Sequence, residues 1–534
     1  MGWCLGDENK IGSNQIKMAK TVQKTKEGKS KKKNVKMDAK SHLEQALKIN
    51  PDFLDARYEL GCLFRDEGNL KGAEKQFKEV IKLNNNHADG YFQLALLAAE
   101  FKKNKLARDN FEKAVTIKFD DSEIQFKYGL FLKKIKKIEE ATEHFSKAIE
   151  SNQNFSEAYF ELAMLLRDPE DYDQAKKNYE TAIDIQPDYV DALYYLGKLV
   201  MNGLKKDNDG TLLWQPEKDY AISCFNKILK TDENHAKANL RLGMIYVDQE
   251  EYEKAEKHLK KAVKQNSRFS KALYQLGLVS KALKKEKDAI KFFKRSLTHF
   301  PKSHLTHFHL GLLLREHNEI NAGISHLKKA VKFDTEFDDA YYYLARFLEE
   351  KEDYEAAKEH YLKALSRNHK HRDASFHLGL LMKKMNMMEE AKAYMEKTIE
   401  ADQNFTEAYY YLGMILNDPA DYASARKCYL TALDINPKYF MAHYHLANLL
   451  SSGKRLNKDG TLVIKKELER AKKHYIEALR LDPTFPKIHY HMALLLEEEG
   501  NLVDAENHLL KAIELHPHYA KAHYRLALLF RNKN

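Results

Sequence analysis

Apolar residues return along most of this chain at the spacing of an amphipathic helix. AYFELAMLL at 158–166 and QAKKNYETAI at 174–183 show the alternation, and short polar turns separate one such stretch from the next. A second, longer period overlies the first. Small residues stand 34 apart at Gly61, Ala95, Gly129, Ala163 and Gly197, again at Gly243, Gly277, Gly311, Ala345, Gly379, Gly413 and Ala447, and then at Ala493 and Ala527. Twelve residues after most of these stands another small one, such as Ala73, Ala107, Ala141, Ala255 or Ala357. Two helices approach closely only where a side chain is nearly absent, so each period predicts one helical hairpin. Pro51, Pro187, Pro301, Pro437, Pro483 and Pro517 share one phase, the junction to the next hairpin, where proline ends a helix at little cost. An aromatic two residues on, such as Phe53, Tyr189 or Tyr439, is placed to staple the next helix start.

With LGCLF, AEKQF and the proline set in place, the chain resembles the tetratricopeptide repeat (TPR) family, a 34-residue helix-turn-helix. The resemblance implies an all-α fold, a right-handed TPR superhelix or α-solenoid of antiparallel helix hairpins. It also implies that first helices line a concave face and that the usual work is binding other proteins. The phase divides the chain into a basic arm at 1–36 and a lone second helix at 37–53. Thirteen full repeats follow at 54–519, then a lone first helix at 520–534. Those two half repeats could complete one another between molecules and give head-to-tail chains.

Two intervals break the period. Between Gly197 and Ala221, and between Ala447 and Ala471, twelve extra residues enter, as long inserts near 203–217 and 453–467. They carry DNDGTLL and NKDGTLV, offset by 250, and QNFSEAYFELAMLLRDPEDY matches QNFTEAYYYLGMILNDPADY at the same offset, which indicates duplication of a seven-repeat block. DxDGT is also the nucleophile motif of haloacid dehalogenase phosphatases. That reading needs a buried strand before Asp207, where NGLKK stands, and the second copy replaces the Asp with Asn457. A calcium loop phased on Gly210 would begin at Lys205, or at Arg455 in the copy, and both repel a cation. Asp-Gly is a tight-turn pair, so each insert predicts a projecting hairpin loop with TLL or TLV in its return arm and Trp214 as a contact residue.

Charge changes the picture only at the start of the chain. Residues 1–40 hold eleven lysines against four acids, a net +7 out of the chain's +10. KEGKSKKKNVK has too little apolar surface to fold alone and predicts a disordered arm for a polyanion, whether RNA, an acidic protein tail or anionic lipid. MGWCLG offers Gly2 and Cys4 for acylation, but Gly6 stands where Ser or Thr is expected. No signal peptide or membrane-spanning run is evident, and Cys4, Cys62, Cys224 and Cys428 are too far apart for a disulfide framework or a zinc motif. These features point to a soluble, reducing, cytoplasmic setting.

Candidate chemistry is sparse. His443, His489 and His523 share one repeat position and His445 and His491 another, which stacking could gather into a metal or pH-sensitive column; ordinary packing is the simpler account. Asp168 and Asp418 precede prolines and read as turn chemistry. No catalytic residues, cofactor, metal or small-molecule substrate are expected, so the chain reads as a binder and not an enzyme.

First helices carry the most informative pattern. An aromatic stands three residues before the small position at Tyr58, Phe92, Phe126, Phe160, Tyr194, Tyr274, Phe308, Tyr342, Phe376, Tyr410, Tyr444 and Tyr490. One residue after the small position come Leu96, Leu130, Met164, Leu278, Leu312, Leu380 and Met414. A four-residue separation puts both sets on one stripe, and the resemblance implies that the stripe lines the groove. It fits an apolar peptide or an amphipathic helix, although aromatics here can equally pack between neighbouring helices. The paired Lys and Asn of the family's chaperone-tail clamp are missing. Asp55, Asp89, Glu123, Glu157 and Asp191 form an acidic row that repels phosphate. Two functions follow from these features: a scaffold or adaptor binding protein partners in the groove, or a subunit of a ribonucleoprotein or microtubule- or cilium-associated assembly anchored through the arm.

Overall fold

The computed structural model describes residues 39–206, 211–456 and 460–533. The basic arm at 1–36, the acylation positions Gly2 and Cys4, and the turns at 207–210 and 457–459 on which the phosphatase and calcium readings centre lie outside the described residues. Contacts divide the chain into two compact units, Met1–Asn266 and Ser267–Asn534.

In the first unit a helix at 39–49 precedes six antiparallel helix pairs, from Leu54–Asp66 with Leu70–Leu83 to Ala236–Asp248 with Tyr252–Gln265. The second unit holds seven pairs, from Ser270–Ala282 with Glu286–His299 to Pro486–Glu498 with Leu502–Leu515, and then the helix Ala520–Lys533. Most first helices span thirteen residues and second helices fourteen. Among the described residues no helix is long and apolar enough to cross a membrane.

Close packing within each pair explains the 34-residue period. The small residue of the first helix faces a large one of the second. A Cβ added at Gly61 would stand 2.6 Å from the Phe77 ring, at Gly129 2.7 Å from Phe145, and at Gly277 2.4 Å from Phe293. Phe77, Phe145 and Phe293 are completely buried as a result. Such contact fills the interior as densely as a molecular crystal, so neither partner can grow without displacing the other. Between pairs the turn is held by an Asn or Asp whose side chain accepts from the backbone N–H two residues on, as at Asn84, Asn152, Asp232, Asp402 and Asp482.

Two short β-hairpins interrupt the helices. In the first, Leu204–Lys206 pairs antiparallel with Leu212–Trp214, and in the second, Lys454–Leu456 pairs with Leu462–Ile464. Their second strands take in the Leu-Leu of TLL and the Leu-Val of TLV, which were expected in the return arm of each insert. Gly203 and Gly453 end the preceding helices at φ 60 and 58, where a side chain is strained, and a Cβ there would lie 2.3 Å from the Pro216 nitrogen or 2.4 Å from the Lys465 carbonyl carbon.

Candidate partner-binding site

Successive first helices of a unit present one face. The aromatic of one repeat meets a ring on the next: Phe160 with Tyr195 at 5.9 Å in the first unit, and Phe308 with Tyr343, Phe376 with Tyr411 and Tyr410 with His445 at 5.6, 5.7 and 5.5 Å in the second. Most of the aromatic row lies beneath the surface. Phe92, Phe126, Phe160, Phe308, Tyr342, Phe376, Tyr410 and Tyr444 are buried, while Tyr58, Tyr194, Tyr274 and Tyr490 are half-buried. Their cover is the staple aromatic at the next helix start: Phe155 lies 4.7 Å from Phe126, Tyr189 5.2 Å from Phe160, and Phe337 4.8 Å from Phe308. Leu96, Leu130, Met164, Leu278, Leu312, Leu380 and Met414 are half-buried and pack against the core that holds these rings. The face therefore has a largely buried aromatic row and a partly exposed aliphatic row.

Its charges differ between units. In the first, Asp89 of the acidic row is clamped by the Lys118 ammonium at 2.8 Å, and Lys133 pairs with Glu161 of the next first helix. In the second, the Arg346 guanidinium donates to the Tyr342 hydroxyl at 3.1 Å and to His377 Nε2 at 2.8 Å. Burial pushes the Lys383 ammonium below its usual range, and that ammonium lies 5.4 Å above the Tyr411 ring. His309, His377, His445 and His491, which occupy one repeat position, are pushed down to about 4, first by burial and then by nearby cations. They are neutral at pH 7 and present rings, not charges, to this face.

The histidine column is resolved into pairs. His443 Nδ1 meets His474 Nδ1 of the second helix at 2.9 Å, His489 meets His508 at 3.0 Å, and His307 meets His326 at 2.8 Å. Each first-helix ring also donates from Nε2 to a proline carbonyl six residues earlier, at 3.2, 3.0 and 3.0 Å. Among the described residues no group of three or more His, Cys, Asp or Glu could hold a metal ion. The partners lie across the hairpin and not along the stack; in the sequence their signal is the 19-residue separation of His307 from His326 and His489 from His508.

Each insert is fastened to the hairpin before it. Asp168 and Asp418 open 3-10 turns, Pro169–Asp171 and Pro419–Asp421, after first helices of only ten residues. Glu217 then accepts from the Tyr172 hydroxyl at 3.0 Å and the Lys176 ammonium at 2.8 Å; in the copy Glu467 accepts from Tyr422 at 3.5 Å and Arg426 at 3.4 Å. A cleft of about 490 Å³ beside the first insert is lined by Arg167, Tyr172, Tyr195, Lys198 and Leu204. Trp214 is 71% exposed on this hairpin and Ile464 62% on the other, so both display an apolar edge. Cys62, Cys224 and Cys428 are free thiols, and burial raises the last two to about 11.

Comparison with known proteins agrees with the repeat. Tetratricopeptide repeat models match residues 58–123 and 221–304, and 122–155, 338–371, 373–405 and 406–439; a TPR repeat model matches 164–203. Together they span more than half of the chain. Among solved structures the chain is similar to yeast Tom70, at 15% identity over 90% of this chain and 96% of that one with a TM-score of 0.31. It is similar to the Cut9-Hcn1 hetero-tetramer of the APC/C, at 13% identity over 93% of each chain and a TM-score of 0.36. It is similar also to MamA, at 27% identity over 28% of this chain and 89% of that one with a TM-score of 0.27. No curated protein matches the chain.

Proposed function

Because the chain belongs to the tetratricopeptide repeat family, we propose that it is a non-enzymatic scaffold or adaptor holding protein partners on the face made by its first helices. The observation that carries this reading is the partly exposed row of Leu96, Leu130 and Met164, repeated as Leu278, Leu312, Leu380 and Met414, beside rings most of which are buried. An aliphatic row packed against the core suits the apolar side of an amphipathic helix or an extended apolar peptide, because the protein side loses little conformational freedom on binding. The insert hairpins, with Trp214 exposed, supply secondary contacts. The arm at 1–36 adds attraction to a polyanion, and its deletion removes the salt-sensitive part of any association.

Truncating the aromatics is a poor test, since Phe126→Ala and Phe160→Ala would hollow the interior. Carboxylates on the partly exposed row are a better one: Leu130→Glu with Met164→Glu, and separately Leu380→Glu with Met414→Glu. Affinity capture with the intact chain identifies the partner. Each double variant is expected to weaken its binding by at least about tenfold with helicity retained, as for loss of a central apolar contact. Unchanged binding by both variants would refute the reading.

A further inference from the structure

The two inserts are built alike, yet the surfaces beside them differ in charge. Between the strand Lys454–Leu456 and the second helix Tyr422–Ile435 lies a cleft of about 670 Å³, whose lining includes Arg426, Lys427, Leu430, Arg455 and Leu456. Its α-helical wall is a second helix, so the cleft is separate from the first-helix face. The duplication supplies a control. At the matching positions the first block holds four acids, Glu170, Asp173, Glu180 and Asp184, against four bases, Lys176, Lys177, Lys205 and Lys206, and is neutral. In the second block Ala420, Ala423 and Leu430 replace three of the acids, while Arg426, Lys427 and Arg455 keep three of the bases. With Asp434 the sum is +2.

In the first block these acids are engaged. Glu170 pairs with Lys206, and Glu180 accepts from the Tyr220 hydroxyl at 2.9 Å. Asp173 stands one turn before Lys177 and Glu180 one turn after Lys176, the spacing at which opposite charges on a helix attract. Their loss leaves the cations of the second block without those carboxylates. Lys427 is exposed, Arg455 lies half-buried with its guanidinium 5.7 Å above the Tyr422 ring, and neither has an ion pair among the described residues. Arg426 shares the Glu467 carboxylate with Arg470, at 3.4 and 2.9 Å. Asp434 pairs with none of the three among the described residues. Where the first block has the Glu170–Lys206 pair, the second has Ala420 and Leu456, and Leu430 and Leu456 are each 39% exposed. The cleft thus sets an apolar wall beside three cations.

A flat bilayer does not enter a concave site, and exposed leucines give nothing to a sugar-phosphate backbone, whose binding rests on phosphate contacts. An extended chain with acids on either side of an apolar residue satisfies both walls. We propose that the cleft beside the second insert binds an acidic peptide segment of a protein partner. Its carboxylates meet Lys427 and Arg455, in place of those the first block supplies from Asp173 and Glu180, and its apolar side chain covers Leu430 and Leu456. The site lies apart from the first-helix face and does not depend on it.

Fluorescence anisotropy of the full chain with a labelled Glu-Glu-Leu-Glu-Glu peptide tests the proposal, beside the same peptide with Gln in place of Glu. Two double variants act on the cleft. Ala423→Asp with Leu430→Glu restores the carboxylates of the first block at two exposed positions, and Lys427→Glu with Arg455→Glu reverses the unpaired cations. The Gln peptide should bind the intact chain at least about tenfold more weakly than the Glu peptide, and each variant should weaken the Glu peptide by at least about tenfold. Thermal melts by circular dichroism confirm that the variants are folded. Leu380→Glu with Met414→Glu, which spoils the first-helix face, should leave this binding unchanged, so failure here and failure of the face are told apart. Equal binding of the two peptides, binding that neither cleft variant weakens, or loss only in the face variant overturns the proposal. So does binding of oligouridylate or of phosphatidylserine vesicles that depends on Lys427 and Arg455 while the peptide does not bind, since the cleft then serves RNA or a membrane.

Discussion

In the unit ending at Asn266, the polar site between the two helices of a hairpin is filled by an amide and an imidazole: Gln125 with His144 at 2.6 Å and Asn239 with His258 at 2.9 Å. In the unit beginning at Ser267 it is filled by two imidazoles, in the pairs of His307, His443 and His489. Both solutions anchor the first residue to a carbonyl six positions back, through Gln125 to Phe119 and Asn239 to Glu233 in one unit and through the prolines in the other. They differ in what a proton does. The Gln125 amide donates to a carbonyl, so its oxygen faces His144, and that oxygen accepts equally well from a neutral or a charged ring. In a histidine pair the carbonyl fixes the first ring as Nε2–H, its Nδ1 is the acceptor, and the second ring must donate from Nδ1. One added proton is taken at Nε2 of the second ring, which still donates from Nδ1, so the pair survives it. A second proton sets N–H against N–H and breaks the pair.

Acid should therefore separate the units, and this is the largest effect expected. Burial lowers eleven histidines of the second unit and two of the first, and His326 and His474 reach about 4. A histidine lowered on folding binds fewer protons in the folded state than in the unfolded state. Its contribution is complete above the ordinary imidazole value of ~6.5 and is lost as pH falls toward the folded value. Hydrogen exchange followed by mass spectrometry between those limits should show protection falling across 304–515 while 54–265 remains protected. Simultaneous loss in both units would contradict the comparison.

A smaller effect is expected when one pair is cut. His443→Leu leaves the His474 Nδ1–H and the Pro437 carbonyl without their partner inside the hairpin, at a cost of about 2 kcal/mol in denaturant unfolding at neutral pH. His443→Gln instead installs the chemistry of the first unit. It should cost under about 1 kcal/mol at neutral pH and make the hairpin less sensitive to acid than the parent. If Leu and Gln behave alike, the hydrogen bonds are not what the histidines provide.

How much of this was legible follows from what spacing can record. The period, the two helices per repeat and the insert hairpins were readable because each is local: small residues at 34, prolines at one phase, Asp-Gly before TLL. The depth of the aromatic row was not readable. Phe126 and Phe160 occupy the expected stripe, but Phe155 and Tyr189, the staples of the following repeats, cover them. The Asp-Pro motif was legible as a turn only. Its role in fastening the insert depends on Glu217 reaching back to Tyr172 and Lys176, across 45 and 41 residues. The histidine pairs are not legible from equal positions in successive repeats, because the bond runs between unequal positions of one repeat.

Gln125→His carries the chemistry of the second unit into the first and has the smallest effect of all at neutral pH. Gln125 is 2% exposed and stands six residues after the Phe119 carbonyl, as His307 stands after Pro301, so an imidazole there can donate from Nε2 to that carbonyl and turn Nδ1 toward His144. The volumes are similar and both bonds are kept, so stability at pH 8 should move by less than about 1 kcal/mol. Below pH ~6.5 the new pair should open hairpin 122–151 ahead of its neighbours, seen as exchange confined to that segment. Should 122–151 stay protected, the acid response of the second unit would belong instead to His309, His377, His445 and His491, which are half-buried on the first-helix face, and not to the pairs.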